Sequence, residues 1–312
     1  MSSVATLGVS VSTATLPRFD ATALGARPGS GRPRGVTAVL RVKNEAASLP
    51  WSLPGLLRSC DAVLLVDNGS QDGTVDLAWT LSKELGAEDR LRVQAYPHTI
   101  SRCGPEHLET PPDSVHSLAY FNNWAFSHVS TSYAVKWDGD MVLTEEGEAL
   151  LADFRWQVAR HRVTLSLLRH PLYVADERTA WLDLGVHNLE RFGHPMSAEF
   201  SYVKAFEWEF LRFPPGTRNL PFPAGTCLEL KYLDGDEFGH WTAPSAFATS
   251  ARTERKRREY AIFQALLRGE DDLMPGVRRF DAPPGQHVIA HVRDWLRTAP
   301  RPLVAEEGHP GA

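Results

Sequence analysis

The stretch Ala62-Val63-Leu64-Leu65-Val66-Asp67-Asn68-Gly69-Ser70-Gln71-Asp72-Gly73-Thr74 decides the fold. Its first five residues form an apolar, partly β-branched run, short enough for a strand buried on both faces. The Asp, Asn and Gly residues that follow suit a tight strand-to-helix turn. From Thr74 the period changes: Leu77, Ala78, Leu81 and Leu85 recur at three and four, and Gly86 stands where a left-handed C-terminal cap is wanted. The stretch therefore predicts strand, turn and helix in succession.

Working outward, the same alternation repeats. Upstream, Val36-Thr37-Ala38-Val39-Leu40-Arg41-Val42 reads as a first strand, and Ser48 to Leu57 as a helix that Ser48 caps and Pro54 shortens or kinks. Downstream, Leu91 to Ala95 is a third strand, and the polar, turn-rich segment from Pro97 to Pro112 is too long for a simple connection. Between Ser114 and Ser130 the residues Val115, Leu118, Ala119, Ala125, Phe126 and Val129 share a helical face with Asn122 in phase. Tyr133 to Trp137 follows as a fourth strand and ends in Asp138-Gly139-Asp140. Strands alternating with helices at this spacing imply right-handed crossovers and an α/β fold with a mainly parallel central sheet flanked by helices. Ligands of such sheets bind at the carboxyl ends of the strands. From Thr164 to His240 short strands mix with Pro and Gly turns, and Ser250 to Arg268 is a charged helix. The expected organisation is a flexible leader over 1–33, one domain over 34–245 with halves meeting at 143/144, and a helical extension over 246–312.

Composition narrows the function classes. Of 312 residues, 43% are apolar and 23% charged, enough to bury a sizeable core. A net charge of -5 gives no electrostatic reason to expect a nucleic-acid partner. Cys60, Cys103 and Cys227 lack the spacing of a zinc knuckle or a disulfide framework, so reduced thiols and a cytoplasmic setting are expected. No run approaches the roughly 20 apolar residues of a bilayer span.

The chemistry centres on Asp138-Gly139-Asp140. Two carboxylates two residues apart at a strand end can offer oxygens to one hard cation, Mn²⁺ or Mg²⁺, and the intervening Gly lets backbone turn close to a phosphate. Such a cation acts as a Lewis acid on the charge that grows when a sugar leaves a nucleoside diphosphate. Asp234-Gly235-Asp236 repeats the tripeptide, so the pattern alone is weak evidence. Context strengthens the first copy: strand one ends in Arg41-Val42-Lys43-Asn44-Glu45 and strand two in Asp67 to Thr74, which puts three polar clusters on one sheet edge.

These three motifs, in this order and at these separations, resemble the opening half of the family 2 glycosyltransferases, of the GT-A (Rossmann-like nucleotide-diphospho-sugar transferase) fold. The likeness spans roughly Val36 to Leu143. It implies a hexosyl- or related glycosyltransferase that inverts the anomeric centre, with a nucleoside-diphosphate sugar as donor and a carbohydrate, lipid-linked or natural-product acceptor. It implies further that Arg41, Asn44, Glu45, Asn68 and Asn122 line the nucleotide-sugar edge and that Asp67 approaches base or ribose. Asp72 would support that pocket, directly or by fixing the turn. Asp138 would meet ribose or metal, and Asp140 would be the principal metal ligand. Asn68 and Asp72 equally suit turn-bonding Asx residues. Asn122 equally suits a buried amide satisfied by backbone.

An inverting transferase also needs a base for the acceptor hydroxyl. Here the family pattern is weak: Glu207 and Glu209 are the nearest counterparts, with Asp234, Asp236 and Glu237 as rivals. His240, then His187, is the histidine expected to complete a metal shell. Lys136 and Trp137 read as strand residues only, and Trp208 and Trp241 as core. The run Arg252, Arg255, Lys256, Arg257, Arg258 reads as a solvated helix face supported by an i,i+4 pair of Glu254 with Arg258, or as a contact for an acidic acceptor or a membrane surface. Two rivals stand beside the transferase: a sugar-phosphate nucleotidyltransferase, and a non-catalytic sugar- or nucleotide-binding relative of the same fold.

Overall fold

A computed structural model describes residues 31–101, 105–157, 163–205, 208–233, 251–270, 272–300 and 303. In chain order the strands are β1 (Val36–Val42), β2 (Ala62–Asp67), β3 (Leu91–Ala95), β4 (Tyr133–Asp138), β5 (Met141–Leu143), β6 (Val163–Val174), β7 (Thr179–Asp183), β8 (Leu189–Pro195), β9 (Ser201–Lys204), β10 (Glu209–Arg212), β11 (Arg218–Pro221), β12 (Cys227–Tyr232) and β13 (Val277–Asp281). The helices are α1 (Leu49–Ser59), α2 (Thr74–Glu84), α3 (Pro105–Glu109), α4 (Leu118–Ser127), α5 (Glu145–Gln157), α6 (Ala251–Leu267) and α7 (Val288–Thr298).

The fold is α/β. One sheet runs β13-β7-β6-β8-β4-β1-β2-β3, with β11 and β12 also on β6 and β5 on β12. The half formed by β3, β2, β1 and β4 is wholly parallel, as βα crossovers require. Beyond β4 the pairing turns antiparallel through β8, β6, β7 and β13. β1, β2 and β4 are buried runs because both faces are covered, whereas β3 is the edge strand and buries only Leu91. Val36, Ala38, Leu40 and Val42 pack with α1, α2 and α5, while Val39, Leu64 and Val66 pack with α4 and the β9–β10 hairpin.

Several boundaries depart from expectation for local reasons. α1 runs past Pro54 to Ser59, because burial of Leu53, Leu56 and Leu57 outweighs the missing bond to the Pro50 carbonyl. Ser48 makes no side-chain cap; its φ of -86° and ψ of -31° are already helical, and the turn begins earlier, at the Glu45 carbonyl. α4 starts only at Leu118, since 111–117 forms two successive turns, Ser114 N to Pro111 O and Ser117 N to Ser114 O. The long connection contains α3 and is tied down by Lys204 Nζ, which donates to the carbonyls of Leu108 (2.8 Å) and Thr110 (2.6 Å). β6, at 12 residues, is no short strand. The C-terminal part is not only helical: β13 pairs with β7 and joins the sheet. There α7 closes a third core with Leu172, Leu182, Leu228 and Leu230, while α6 packs Ile262 and Phe263 on Tyr173. Among the described residues no helix is long and apolar enough to cross a membrane. Cys60 and Cys227 are buried and unbridged, and burial pushes the Cys60 thiol up to about 12; Cys103 lies outside the described residues.

His194 on β8 is stacked between Phe126 (4.8 Å) and Phe200 (5.5 Å), and burial lowers its pKa to about 4. The unfolded imidazole takes a proton near its ordinary 6.5 and the folded one resists until about 4, so stability is full above pH 6.5 and falls as the pH drops through that window. The loss attributable to this group is about 3 kcal/mol. Urea unfolding between pH 7 and 4 should show it, and His194→Phe should remove that part of the slope.

Candidate functional site

Strand alternation selects the side chains that meet at the site. In β1, Ala38 and Leu40 face α1 and Val39 faces α4, so Arg41 points to the α4 side. In β4, Val135 and Trp137 face α1 and Ala134 faces α4, so Lys136 and Asp138 share that side. The parallel register sets Arg41 beside Asp138. There Arg41 ion-pairs with Asp138, donates through Nη1 to Asn122 Oδ1 at 2.8 Å, and lies 4.0 Å from Glu209 Oε1. Burial opposes the charge on Asp138, but Arg41, Lys136 and Arg169 outweigh it and hold the carboxyl below its ordinary range.

The Asp138-Gly139-Asp140 turn is pinned by Trp137 Nε1 donating to Met141 O (2.8 Å) and by Leu230 N donating to Asp140 O (2.9 Å). Trp137 is thus a brace for the turn as well as a core residue. Asp140 faces Lys231 Nζ at 3.4 Å. A Cβ on Gly139 would stand 2.5 Å from Glu45 Cγ, so Glu45 lies directly over the turn and only Gly fits beneath it. Gly139→Ala should displace Glu45 from its place over the turn. The accompanying stability loss should be about 1–3 kcal/mol, which thermal melting measures.

Four of the residues expected at the nucleotide edge spend their side chains on the loops. Asn44, at φ 58°, accepts from Gln71 N at 2.8 Å and its own N–H donates to Ser70 Oγ at 2.9 Å. Asp72 accepts from Ala46 N (2.9 Å) and Thr74 N (3.1 Å), so it clamps the loop after β1 to the loop after β2. Asp67 accepts from Gly69 N and Ser70 N, each at 3.1 Å, and Asn68 Nδ2 donates to His98 O at 2.6 Å. For Asp72 the turn-fixing role is the one observed; a direct ligand contact is not needed to explain it.

Beneath the edge lies an ionic network that sequence reasoning missed. Glu229, 4% exposed, receives Arg169 (3.1 Å), Lys231 (2.9 Å) and Arg255, and these three cations hold its carboxyl far below the ordinary range against the burial that opposes its charge. Arg169 also meets Glu190 at 3.0 Å and Asp138 at 3.9 Å, and Arg255 meets Glu259 at 2.6 Å. The available signal was Leu228-Glu229-Leu230-Lys231 on β12, where charged residues alternate with apolar ones although both faces are covered.

Glu209 is buried as the counter-ion of Lys136 at 3.0 Å, which makes Lys136 more than a strand residue. Arg255 is buried in the network and Arg258 pairs with Asp183 at 2.7 Å instead of Glu254, so neither belongs to a solvated or membrane-facing stripe. His187 is exposed and, among the described residues, joins no group of three or more acids, histidines or cysteines that could hold a metal. Trp208 is half-buried, while Glu207, Asp234, Asp236, Glu237, His240, Trp241 and the side chain of Arg252 lie outside the described residues.

No family model and no curated protein matches the chain. Solved structures similar to it include TarS 1-349 from S. aureus, at 18% identity over 45% of this chain and 36% of that one, with a TM-score of 0.29. A longer S. aureus TarS matches at 17% identity over 44% of this chain and 22% of that one, TM-score 0.30. The inositol-1-phosphate CTP transferase of T. maritima matches at 11% identity over 65% of this chain and 86% of that one, TM-score 0.28. The chain therefore spans well under half the length of either TarS chain.

Among the described residues, no group of three or more acids, histidines or cysteines could by itself hold a metal ion. Mg²⁺ and Mn²⁺ sites on nucleotides ordinarily use one or two carboxylates and complete the shell with phosphate oxygens and water. Asp138 and Asp140, with side chains 32% and 19% exposed, fit that smaller role.

Proposed function

We propose that the chain is a glycosyltransferase that moves a sugar from a nucleoside-diphosphate sugar to an acceptor hydroxyl, with a divalent metal and inversion at the anomeric carbon. The supporting observation is that β1, β2 and β4 end on one edge of the sheet, with the ionised Asp138 beside Arg41 and the DGD turn braced beneath Glu45. Asp138 and Asp140 would hold the metal, which supplies Lewis-acid stabilisation of the departing diphosphate. Arg41 fixes the rotamer of Asp138, and Lys231 does the same for Asp140. Arg169 and Lys231 add positive potential along the edge where negative charge grows. Cytoplasmic residence fits the free thiols and the nucleotide donor.

The burial of Glu209 against Lys136 favours a second reading, a nucleotide-sugar binder without a base. The base of an active enzyme would come from Glu207, Asp234 or Asp236. One assay separates these readings and the nucleotidyltransferase. Incubation with UDP-, GDP- and TDP-sugars and Mn²⁺ should release free nucleoside diphosphate from one donor. Pyrophosphate release from a nucleoside triphosphate and a sugar 1-phosphate would establish the nucleotidyltransferase instead. Donor binding without any release would leave the binder.

A further inference from the structure

Lys231 buries an ammonium group beside the DGD turn: its side chain is 1% exposed, and Nζ lies 2.9 Å from Glu229 Oε1 and 3.4 Å from Asp140 Oδ2. Burying a charged amine is costly unless counter-ions repay it. Glu229 does not require this one. Its Oε1 already receives Arg169 at 3.1 Å and its Oε2 receives Arg255, so both oxygens are met by arginines. Asp140 is the carboxylate that Lys231 adds to the network.

The ammonium is held in place. Lys231 pairs with Tyr173 in the register of β12 on β6, and the neighbouring Leu230 N donates to Asp140 O at 2.9 Å, which ties β12 to the turn itself. The Asp140 carboxylate, by contrast, reaches solvent, with its side chain 19% exposed and that of Asp138 32%. A divalent cation bound to Asp140 Oδ2 at about 2.1 Å would stand no more than about 5.5 Å from this fixed ammonium. At that range, in a partly buried site, the two positive charges repel. Asp138 offers no relief, because Arg41 and Arg169 already face its two oxygens.

We propose that Lys231 is the resident counter-ion of Asp140 and limits the affinity of the turn for a bare divalent cation. The inference rests on the metal-assisted nucleotide-sugar reading above. Metal and ammonium then share one carboxylate, and tight metal binding waits for a diphosphate, whose oxygens supply the negative charge that the protein's own cations have cancelled. Each ligand strengthens the binding of the other, and Lys231 is the residue that makes the bare metal wait.

The test is Mn²⁺ titration followed by the electron paramagnetic resonance of free Mn²⁺, which reads binding and not turnover. Wild type, Lys231→Met, Asp140→Asn and the double variant are each titrated alone and with UDP, GDP or TDP. The expected result is that Lys231→Met binds Mn²⁺ alone about tenfold tighter than wild type. The gain should vanish in the Asp140→Asn background and shrink once the diphosphate is bound. Thermal melting checks that each variant is folded; Lys231→Gln, which keeps a hydrogen bond to Glu229, replaces Lys231→Met if that variant melts early. Equal Mn²⁺ affinity of wild type and the Lys231 variant, a gain that persists in Asp140→Asn, or a gain undiminished by the diphosphate would overturn the proposal while leaving the metal site intact. If wild type binds no Mn²⁺ with or without any diphosphate, and the Lys231 variant binds none either, the metal reading fails and the proposal falls with it.

Discussion

Glu229→Gln lowers the stability of the fold by about 3–5 kcal/mol, the usual consequence of removing one member of a buried ionic network. The neutral amide keeps the shape of the carboxylate but leaves the cluster one positive charge in excess. Arg169, Lys231 and Arg255 all lean on Glu229, and none can reach water without unpacking β12 or α6. Each retains a second partner, Glu190, Asp140 and Glu259 respectively, so partial folding is expected instead of collapse. The midpoint of urea unfolding should shift accordingly with little change in slope. A loss below 1 kcal/mol would mean that water already screens these charges.

This network also marks where the sequence stops being legible. β1, β2, β4 and α2 could be read from local pattern, because buried parallel strands are nearly continuous apolar runs and α2 carries its own stop at Gly86, whose φ is 59°. The DGD turn was legible as a strand terminus. The division of labour around it was not, since Asn44 and Asp72 bond across loops that lie 26 to 29 residues apart, a pairing no local period encodes. Arg169, Glu229 and Arg255 come from β6, β12 and α6, and only the fold brings them together. The basic run on α6 illustrates the limit well. Helical spacing suggested a solvated stripe, but two of its arginines face carboxylates supplied by distant strands.

Asp140→Ala reduces turnover of the preferred donor by about 10²- to 10³-fold, the scale of losing one electrostatic contact to the developing charge. Misfolding should not confound the result. The Asp140 side chain is partly exposed, and Lys231, its ion-pair partner, keeps Glu229 at 2.9 Å. The main-chain bond from Leu230 to Asp140 also survives the substitution. The thermal midpoint should therefore stay within a few degrees of wild type, while the rate of nucleoside diphosphate release falls. A variant of wild-type activity would show that the leaving group is stabilised by the neighbouring cations and not through this carboxylate.

The most direct test of the central claim, a metal-assisted nucleotide-sugar site on the edge formed by β1, β2 and β4, is calorimetry. UDP, GDP, TDP and CMP are titrated with and without Mn²⁺ into wild type and Asp140→Ala. The account predicts that one nucleoside diphosphate binds tightly, that it needs the metal, and that Asp140→Ala abolishes the metal-dependent part. Absence of binding by every nucleotide, or binding indifferent to both Mn²⁺ and Asp140, would contradict it.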